Sequence, residues 1–244
     1  HPRYTPLAEV VDGYHTNWGG WHEGSFSLNP LDPSSLALME ELFAELLPHF
    51  TSRNVNVGCD GTFDLGQGKS KEACERLGKG RVYLDCLLAI HRLIRGHGRT
   101  MQFWGDIILH HPELIPELPR DILPLVWGYE ANEDFEGKCG KFAASGLTFL
   151  VCPGTSSWNS LVGRTDNALA NMRSAAEAGL RHGAVGYLNT DWGDCGHWQP
   201  FAVSLLPFAA GAGYGWCSQA QQAADLREQA NQHDHGDRQH DRLE

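Results

Sequence analysis

The segment "VNVGCDGTFDLG", residues 55–66, contains an apolar strand that ends in an acidic, glycine-bearing loop. Val55, Val57 and Cys59 are apolar residues at alternate positions, and this run predicts a buried β-strand. Asp60 follows where the strand is expected to meet solvent, and Gly61 comes directly after it. The chain therefore places a single carboxylate, followed by a residue without a side chain, at the carboxyl end of a predicted strand.

Four more predicted strands end in aromatic and acidic residues. They lie within "TMQFWGDII", "DILPLVWGYE", "LTFLVCPGTSSWNS" and "AVGYLNTDWGDCGHW". Apolar residues at helical spacing predict helices between the strands. The first is capped by Asp32 and has Pro33 in its first turn, and another lies near residues 134–145. The residues at or just past the strand ends are Asp60, Trp104, Asp106, Trp127, Tyr129, Trp158, Asp191 and Trp192.

This alternation of strands and helices predicts an α/β fold. Apolar strands joined by helices indicate a parallel sheet that is covered by the helices. We expect a partial (β/α)8 barrel of the TIM type, in which the carboxyl ends of the strands share one rim. The active sites of such barrels are assembled at that rim.

Composition excludes several classes of function. The chain has 244 residues, 41% of them hydrophobic and 20% charged, and its formal net charge is −11. An acidic chain without a Lys/Arg block predicts no nucleic-acid partner and no membrane partner. No apolar run reaches the roughly 20 residues of a membrane span, and no signal peptide is visible, so we expect a cytoplasmic protein. The seven cysteines are expected to be reduced.

Tryptophans beside carboxylates favour a sugar site at the rim. An isolated tryptophan after a strand usually serves packing. Four tryptophans at equivalent positions are typical of a carbohydrate site, because indole faces stack on a sugar ring and carboxylates accept hydrogen bonds from its hydroxyls.

The five motifs together resemble the catalytic barrel of glycoside hydrolase family 20, the β-N-acetylhexosaminidases. The resemblance covers about residues 25–210 and matches barrel strands four to eight. We expect a loop segment at 1–25, a catalytic domain at 26–217 and a polar tail at 218–244 that is flexible or a short helix. Histidines and aspartates of that tail offer metal ligands, although a solvated tail is the favoured interpretation.

The resemblance implies that Asp60 orients the 2-acetamido group of a terminal β-linked N-acetylhexosamine. The carbonyl oxygen of that group is the nucleophile in this family and forms an oxazolinium intermediate. The family's general acid is the next residue, and here that position is Gly61. Three explanations stay open: an engineered substitution, a natural loss in a non-catalytic relative, or transfer of the acid role to a neighbour. The candidate neighbours are Asp64, Asp106, Glu130, Asp191 and Asp194.

The resemblance also implies roles for other rim residues. Tyr129 is the candidate to hold the acetamido group, whereas Tyr187 lies within a strand and is predicted to belong to the core. Asp191, Trp192 and Asp194 correspond to the family residues that contact the outer sugar hydroxyls. The aromatic walls of the site are assigned to Trp104, Trp127, Trp158 and Trp192. Neither a cofactor nor a catalytic metal is implied.

Two alternatives to a hydrolase stay open. One is an N-acetylhexosamine-binding relative that lacks turnover. The other is an interaction protein that uses the unpaired edge of a partial barrel to recruit a partner. A barrel without its first three strands also predicts self-association through those edges.

Overall fold

The computed structural model describes residues 27–194 and 198–223. Five strands and seven α-helices alternate over this part of the chain. The strands are β1 Asn54–Asn56, β2 Thr100–Trp104, β3 Leu123–Trp127, β4 Leu150–Cys152 and β5 Gly186–Tyr187. The helices are α1 Pro33–Leu46, α2 Lys71–Leu77, α3 Lys79–Gly96, α4 Asp106–Leu109, α5 Phe135–Ser145, α6 Thr165–His182 and α7 Ala202–Ala223.

The strands follow one another in the sheet in the order β1-β2-β3-β4-β5. The pairs β1–β2, β2–β3 and β4–β5 are parallel, with Val55 opposite Met101, Phe103 opposite Pro124 and Val151 opposite Tyr187. Neighbouring parallel strands need a crossover, which helices provide here. Parallel strands with helical crossovers confirm the predicted α/β class. Their sequential order is that of a barrel, because a doubly wound sheet would reverse its order.

The described residues divide into two compact units. The first contains 27–125 and Ala144–Leu147, and the second contains Val126–Ala143, 148–194 and 198–223.

The core of the first unit is formed by α3 and β2. Leu84 and Ile94 of α3 and Met101 and Phe103 of β2 are fully buried. At the start of α1, the Asp32 carboxylate accepts a hydrogen bond from the Ser34 amide at 2.9 Å, as the sequence predicts for a capping residue. The apolar face of α3 and the apolar residues of β2 are the patterns from which the sequence predicts these two elements.

The prediction of a buried first strand is wrong. Asn54 and Asn56 are exposed, and Val55 is only half-buried. Within the described residues β1 pairs with β2 alone, so one of its edges has no strand beside it. An edge strand keeps more solvent contact than a central strand with the same apolar residues.

The core of the second unit joins β4 and β5 to helices α6 and α7. Met172 of α6 and Ala210 of α7 are fully buried in one cluster, and Tyr187 packs against it. This contact is the packing role that the sequence predicts for Tyr187. None of the helices in the described part of the chain is long and apolar enough to span a membrane.

Candidate functional site

In the first unit, the loop after β1 has an unusual backbone. Gly58, Cys59 and Gly61 have φ angles of +74°, +69° and +61°. A positive φ is uncommon for a residue with a side chain, and such residues are concentrated at functional sites. The Tyr83 hydroxyl donates to the Cys59 carbonyl at 2.9 Å and supports this loop from α3.

Asp60 lies at the carboxyl end of β1, as predicted, and its side chain is exposed. It borders a cavity of about 230 Å³, which is lined mainly by apolar side chains of α1, α3 and the β1 loop. Among the described residues that line this cavity there is no tryptophan. No described residue forms a hydrogen bond to the Asp60 carboxylate, so its direction is not fixed by a partner there.

The interior of this cavity disfavours ionised groups. Burial raises the pKa of the Cys86 thiol to about 11. Burial also raises the pKa of Cys59, and Cys86 and the carboxylates of Asp60 and Asp106 raise it further. Both thiols are therefore protonated at neutral pH and act as small apolar groups.

Gly61 could accommodate a side chain only in a strained backbone. A Cβ atom there would lie 3.5 Å from Phe63 Cε2, which is an ordinary contact. Its φ of +61°, however, costs a residue with a side chain about 1–2 kcal/mol. The backbone conformation at this position therefore suits glycine.

Other predicted residues of the first unit have different surroundings. Trp104 ends β2 and is 93% buried, so only a small part of its ring is accessible. Asp106 is the first residue of α4 and is half-buried. Asp64 is 1% exposed and accepts hydrogen bonds from the amide and hydroxyl of Ser27 at 3.2 and 2.6 Å. Asp64 therefore anchors the chain at Ser27.

In the second unit, four of the predicted aromatic residues meet. The Trp127 and Tyr129 rings are stacked, with centroids 5.1 Å apart, and Trp158 approaches Tyr129 edge-on at 4.9 Å. The Trp192 indole N–H donates to the Tyr129 hydroxyl at 2.7 Å. We call Trp127, Tyr129, Trp158 and Trp192 the aromatic cluster. Its members are half-buried and come from the carboxyl ends of β3, β4 and β5.

Gly154 permits this close approach of aromatic rings. A Cβ atom at Gly154 would lie 2.5 Å from the Trp158 ring and 2.9 Å from Tyr129 Cδ1. Those separations are shorter than real contacts, so a side chain there would displace the rings. The sequence "CPGTSSW" therefore uses glycine to bring a tryptophan over the strand end.

Two asparagines of α6 hold the loop that carries Tyr129. Asn171 is completely buried; it accepts from the Gly154 amide at 3.1 Å and donates to the Gly128 and Glu130 carbonyls at 3.0 and 2.9 Å. One turn earlier, Asn167 donates to the Tyr129 carbonyl at 2.7 Å. Because these bonds involve backbone groups at Tyr129 and on both sides of it, they fix the backbone that carries the Tyr129 ring.

Charged residues surround the same loop. Arg164 forms two hydrogen bonds with Glu130, at 2.9 and 2.6 Å, and this bonding lowers the pKa of Glu130. A general acid needs a raised pKa, so Glu130 is poorly suited to that role. Lys138 donates to the Trp127 carbonyl at 2.9 Å, and its ammonium lies 5.6 Å from the centre of the Trp127 ring.

Asp191 follows β5 and is held by hydroxyl groups. Its Oδ1 atom accepts from Thr155 Oγ1 at 2.5 Å and from Ser157 Oγ at 2.6 Å. Asp194 is exposed three residues later. The structure therefore brings Asp191 together with residues of the loop after β4 that the sequence did not single out.

Several of these supporting residues carried a signal in the sequence that was missed. Asn171 is a polar residue on the apolar stripe of α6, between Ala168 and Ala175. Thr155 and Ser157 belong to a polar run directly after an apolar strand. A buried polar residue needs partners, so each of these positions indicated a hydrogen-bonded contact.

Within residues 27–194 and 198–223, no group of histidine, cysteine and carboxylate side chains could hold a metal ion. The candidate ligands of the tail lie outside those residues, as do the predicted N-terminal segment 1–25 and the tail beyond Ala223. No disulfide bond joins the cysteines of the described part.

The fold is similar to part of known glycoside hydrolases. The chain resembles the X-ray structure of a chitobiase from Flavobacterium johnsoniae, with a TM-score of 0.67 and 17% sequence identity over 93% of this chain. This chain has the fold of that region. It also matches a β-N-acetylhexosaminidase from Bacteroides fragilis, with a TM-score of 0.48, 15% identity and coverage of 70% of this chain and 36% of that protein.

The similarity confirms the predicted partial TIM-barrel type and the predicted structural resemblance to family 20 β-N-acetylhexosaminidases. The chain spans 35% of the length of the chitobiase. No protein-family model and no curated protein sequence matches it. At 17% identity the similarity describes the fold alone, and the site residues remain assigned by their own geometry and by the motif resemblance.

Proposed function

We propose that this chain is part of a glycoside hydrolase of the β-N-acetylhexosaminidase type, whose strand ends bind a terminal β-linked N-acetylhexosamine. The observation that carries the proposal is the aromatic cluster, which is centred on Tyr129 and accompanied by Asp191 at the carboxyl ends of β3, β4 and β5. Partly exposed aromatic faces favour the apolar face of a sugar ring, and a carboxylate beside them accepts hydrogen bonds from its hydroxyls.

The proposed reaction is substrate-assisted. The acetamido carbonyl oxygen of the sugar attacks the anomeric carbon, the glycosidic bond breaks and an oxazolinium ring forms. Asp60 would accept the amide N–H and stabilise the positive charge of that ring. Water then opens the ring with retention of configuration. The proposed chemistry needs no cofactor.

The departing oxygen needs a proton, and Gly61 supplies none. Three of the carboxylates considered as substitutes are already engaged. Asp64 binds Ser27, Glu130 binds Arg164, and Asp191 accepts from two hydroxyl groups. Loss of a positioned general acid typically lowers the rate by about 10²–10⁴-fold. The loss is smallest for an acidic leaving group, so we expect an aryl glycoside to be cleaved faster than a natural disaccharide.

The test compares the chain with Gly61→Glu and Gly61→Gln. Both substitutions impose the same backbone strain at a φ of +61°, and only glutamate carries a proton. Restored hydrolysis of an N-acetylhexosamine disaccharide in Gly61→Glu, without a gain in Gly61→Gln, would support a missing acid. Equal gains in both variants would contradict it.

A second candidate function is sugar binding without turnover. The left-handed backbone at Gly61 favours it, because that conformation suits glycine better than the expected glutamate. In this case all three proteins bind N-acetylglucosamine and none cleaves either substrate. Failure of the unmodified chain to bind the sugar would contradict both functions and leave the interaction protein, with recruitment or self-association at the β1 edge, as the remaining hypothesis.

A further inference from the structure

Asp191 is connected to a set of buried hydroxyl groups. Thr155, Ser157 and Ser204 are each completely buried, and we call them the hydroxyl network. Thr155 and Ser157 donate to the same Asp191 oxygen, Oδ1, and Ser204 donates to Ser157 at 2.8 Å. The network joins the exit of β4 to the first turn of α7.

The hydrogen bonds of the network have only one consistent assignment of donors and acceptors. A hydroxyl donates one proton, and an ionised carboxylate only accepts. Ser204 therefore donates to Ser157, Ser157 donates to Asp191, and Thr155 donates to Asp191 separately. All of these bonds end on Oδ1, so the network fixes the rotation of the carboxylate.

The second carboxylate oxygen differs from the first. No hydrogen bond to Oδ2 is formed by the residues that the structure describes, and this atom is not enclosed. Fixing Oδ1 leaves Oδ2 as an acceptor whose direction is set before a ligand arrives. Preorganisation of this kind reduces the free-energy cost of ordering a side chain on binding.

We propose that the hydroxyl network is a positioning device, which presents Asp191 Oδ2 to a donating hydroxyl of the bound sugar. The inference rests on the proposed function and adds a rule of selection to it. An oriented, acceptor-only carboxylate prefers a free hydroxyl over a substituted one at that position of the ring. It also disfavours an anionic substituent there by charge repulsion.

The first experiment measures binding of N-acetylglucosamine and of analogues in which one hydroxyl at a time is replaced by fluorine. Fluorine is similar in size and cannot donate a hydrogen bond. We expect one analogue to bind the unmodified chain more weakly by about tenfold, which is typical for loss of a hydrogen bond to a charged group.

The second experiment repeats this comparison in Asp191→Asn. The asparagine oxygen still accepts from Thr155 and Ser157, so the network is kept, but an NH₂ donor replaces Oδ2. We expect the preference for hydroxyl over fluorine to fall severalfold, because the NH₂ group can form only a neutral hydrogen bond to the sugar hydroxyl oxygen, which is weaker than a bond to a carboxylate. An unchanged preference in this variant would overturn the inference.

The third experiment tests the positioning role through Thr155→Val and Thr155→Ser. Valine has a similar shape and removes the donor, whereas serine keeps it. We expect Thr155→Val to weaken binding of the parent sugar severalfold while changing binding of the discriminating fluoro analogue little, and Thr155→Ser to restore the original pattern. Equal weakening of both ligands in Thr155→Val indicates a merely structural role and overturns the inference.

The outcomes separate the two proposals. If the unmodified chain binds no N-acetylhexosamine, the proposed function fails and this inference fails with it. If the parent sugar binds and no fluoro analogue is discriminated, the inference alone is overturned. Thermal unfolding of each variant shows whether it is folded. If a Thr155 variant is unfolded, the result for Asp191→Asn alone tests the inference.

Discussion

The strand ends of the two units differ in how their candidate residues are held. In the second unit, Tyr129 contacts three tryptophans, and Asp191 accepts two hydroxyl donors. In the first unit, Asp60 is exposed at the end of a left-handed loop, and no described residue bonds to its carboxylate.

This difference has a functional meaning. Residues that are fixed by neighbours bind a ligand at a lower entropic cost, while an unheld side chain must be ordered by the ligand itself. We infer that the strand ends of the second unit are preformed for a ligand, and that the Asp60 carboxylate of the first unit acquires a defined direction only when a partner binds it.

The largest expected effect comes from Asn171→Ala. Removing the amide leaves the buried Gly154 amide and the Gly128 and Glu130 carbonyls without this partner. The Gly154 and Gly128 groups are buried and cost about 1–3 kcal/mol each when unsatisfied, whereas the partly buried Glu130 carbonyl can bind water, so we expect the free energy of unfolding to fall by about 3 kcal/mol. Urea unfolding followed by tryptophan fluorescence measures it.

The matched variant in the first unit is Asp60→Ala. Because Asp60 is exposed and without a described partner, we expect a change within about 0.5 kcal/mol. If both variants lost the same stability, the contrast between a supported and an unsupported strand end would be wrong.

A smaller effect is expected from Gly154→Ala, which sharpens the same comparison. The added methyl group would lie 2.5 Å from the Trp158 ring, and displacement of the ring costs about 2 kcal/mol. Near-ultraviolet circular dichroism, which reports the packing of aromatic rings, should change as well.

Gly61→Ala is the corresponding change in the first unit. It should cost about 1 kcal/mol through its backbone and leave the near-ultraviolet spectrum unaltered, because among the described residues only Phe63 is near the added methyl group. A spectral change of equal size in both variants would show that the rings of the aromatic cluster are not specifically packed around Gly154.

The smallest effect concerns the thiol of Cys86, beside the cavity that Asp60 borders. Burial raises its pKa to about 11, and only the thiolate reacts with alkylating reagents. We expect slow alkylation at neutral pH, with a rate that rises about tenfold per pH unit until the pKa is approached. Mass spectrometry after timed labelling measures it, with the exposed Cys217 as internal control. Rapid labelling of Cys86 at pH 7 would mean that water enters this cavity freely.

Much of the fold follows from patterns in single segments. Asp32 before Pro33 marks the start of α1, and the apolar stripe of α3 predicts both that helix and the buried face it presents. The exposure of β1 could not be predicted in this way, because it depends on which strand lies beside Val55 and not on the residue itself. Helix α7 was missed because its small residues and Pro207 give it a weak helical pattern.

The candidate site was predictable only in part. Aromatic and acidic residues after each strand could be identified, since barrel geometry directs them to one rim. Their contacts could not, because the edge-on packing of Trp158 against Tyr129 depends on Gly154, and the direction of Asp191 depends on Ser157. A side chain's partners are set by tertiary packing, which local sequence does not encode.

The most direct test of the proposed site is a titration of the ¹⁵N-labelled chain with N-acetylglucosamine, observed at the tryptophan indole N–H signals. We predict saturable shifts of the Trp192 and Trp158 signals, since one indole N–H bonds to Tyr129 and the other ring packs against it. Glucose, which lacks the acetamido group, should produce much smaller shifts. Unchanged indole signals at millimolar N-acetylglucosamine, or equal shifts with glucose, would contradict the account.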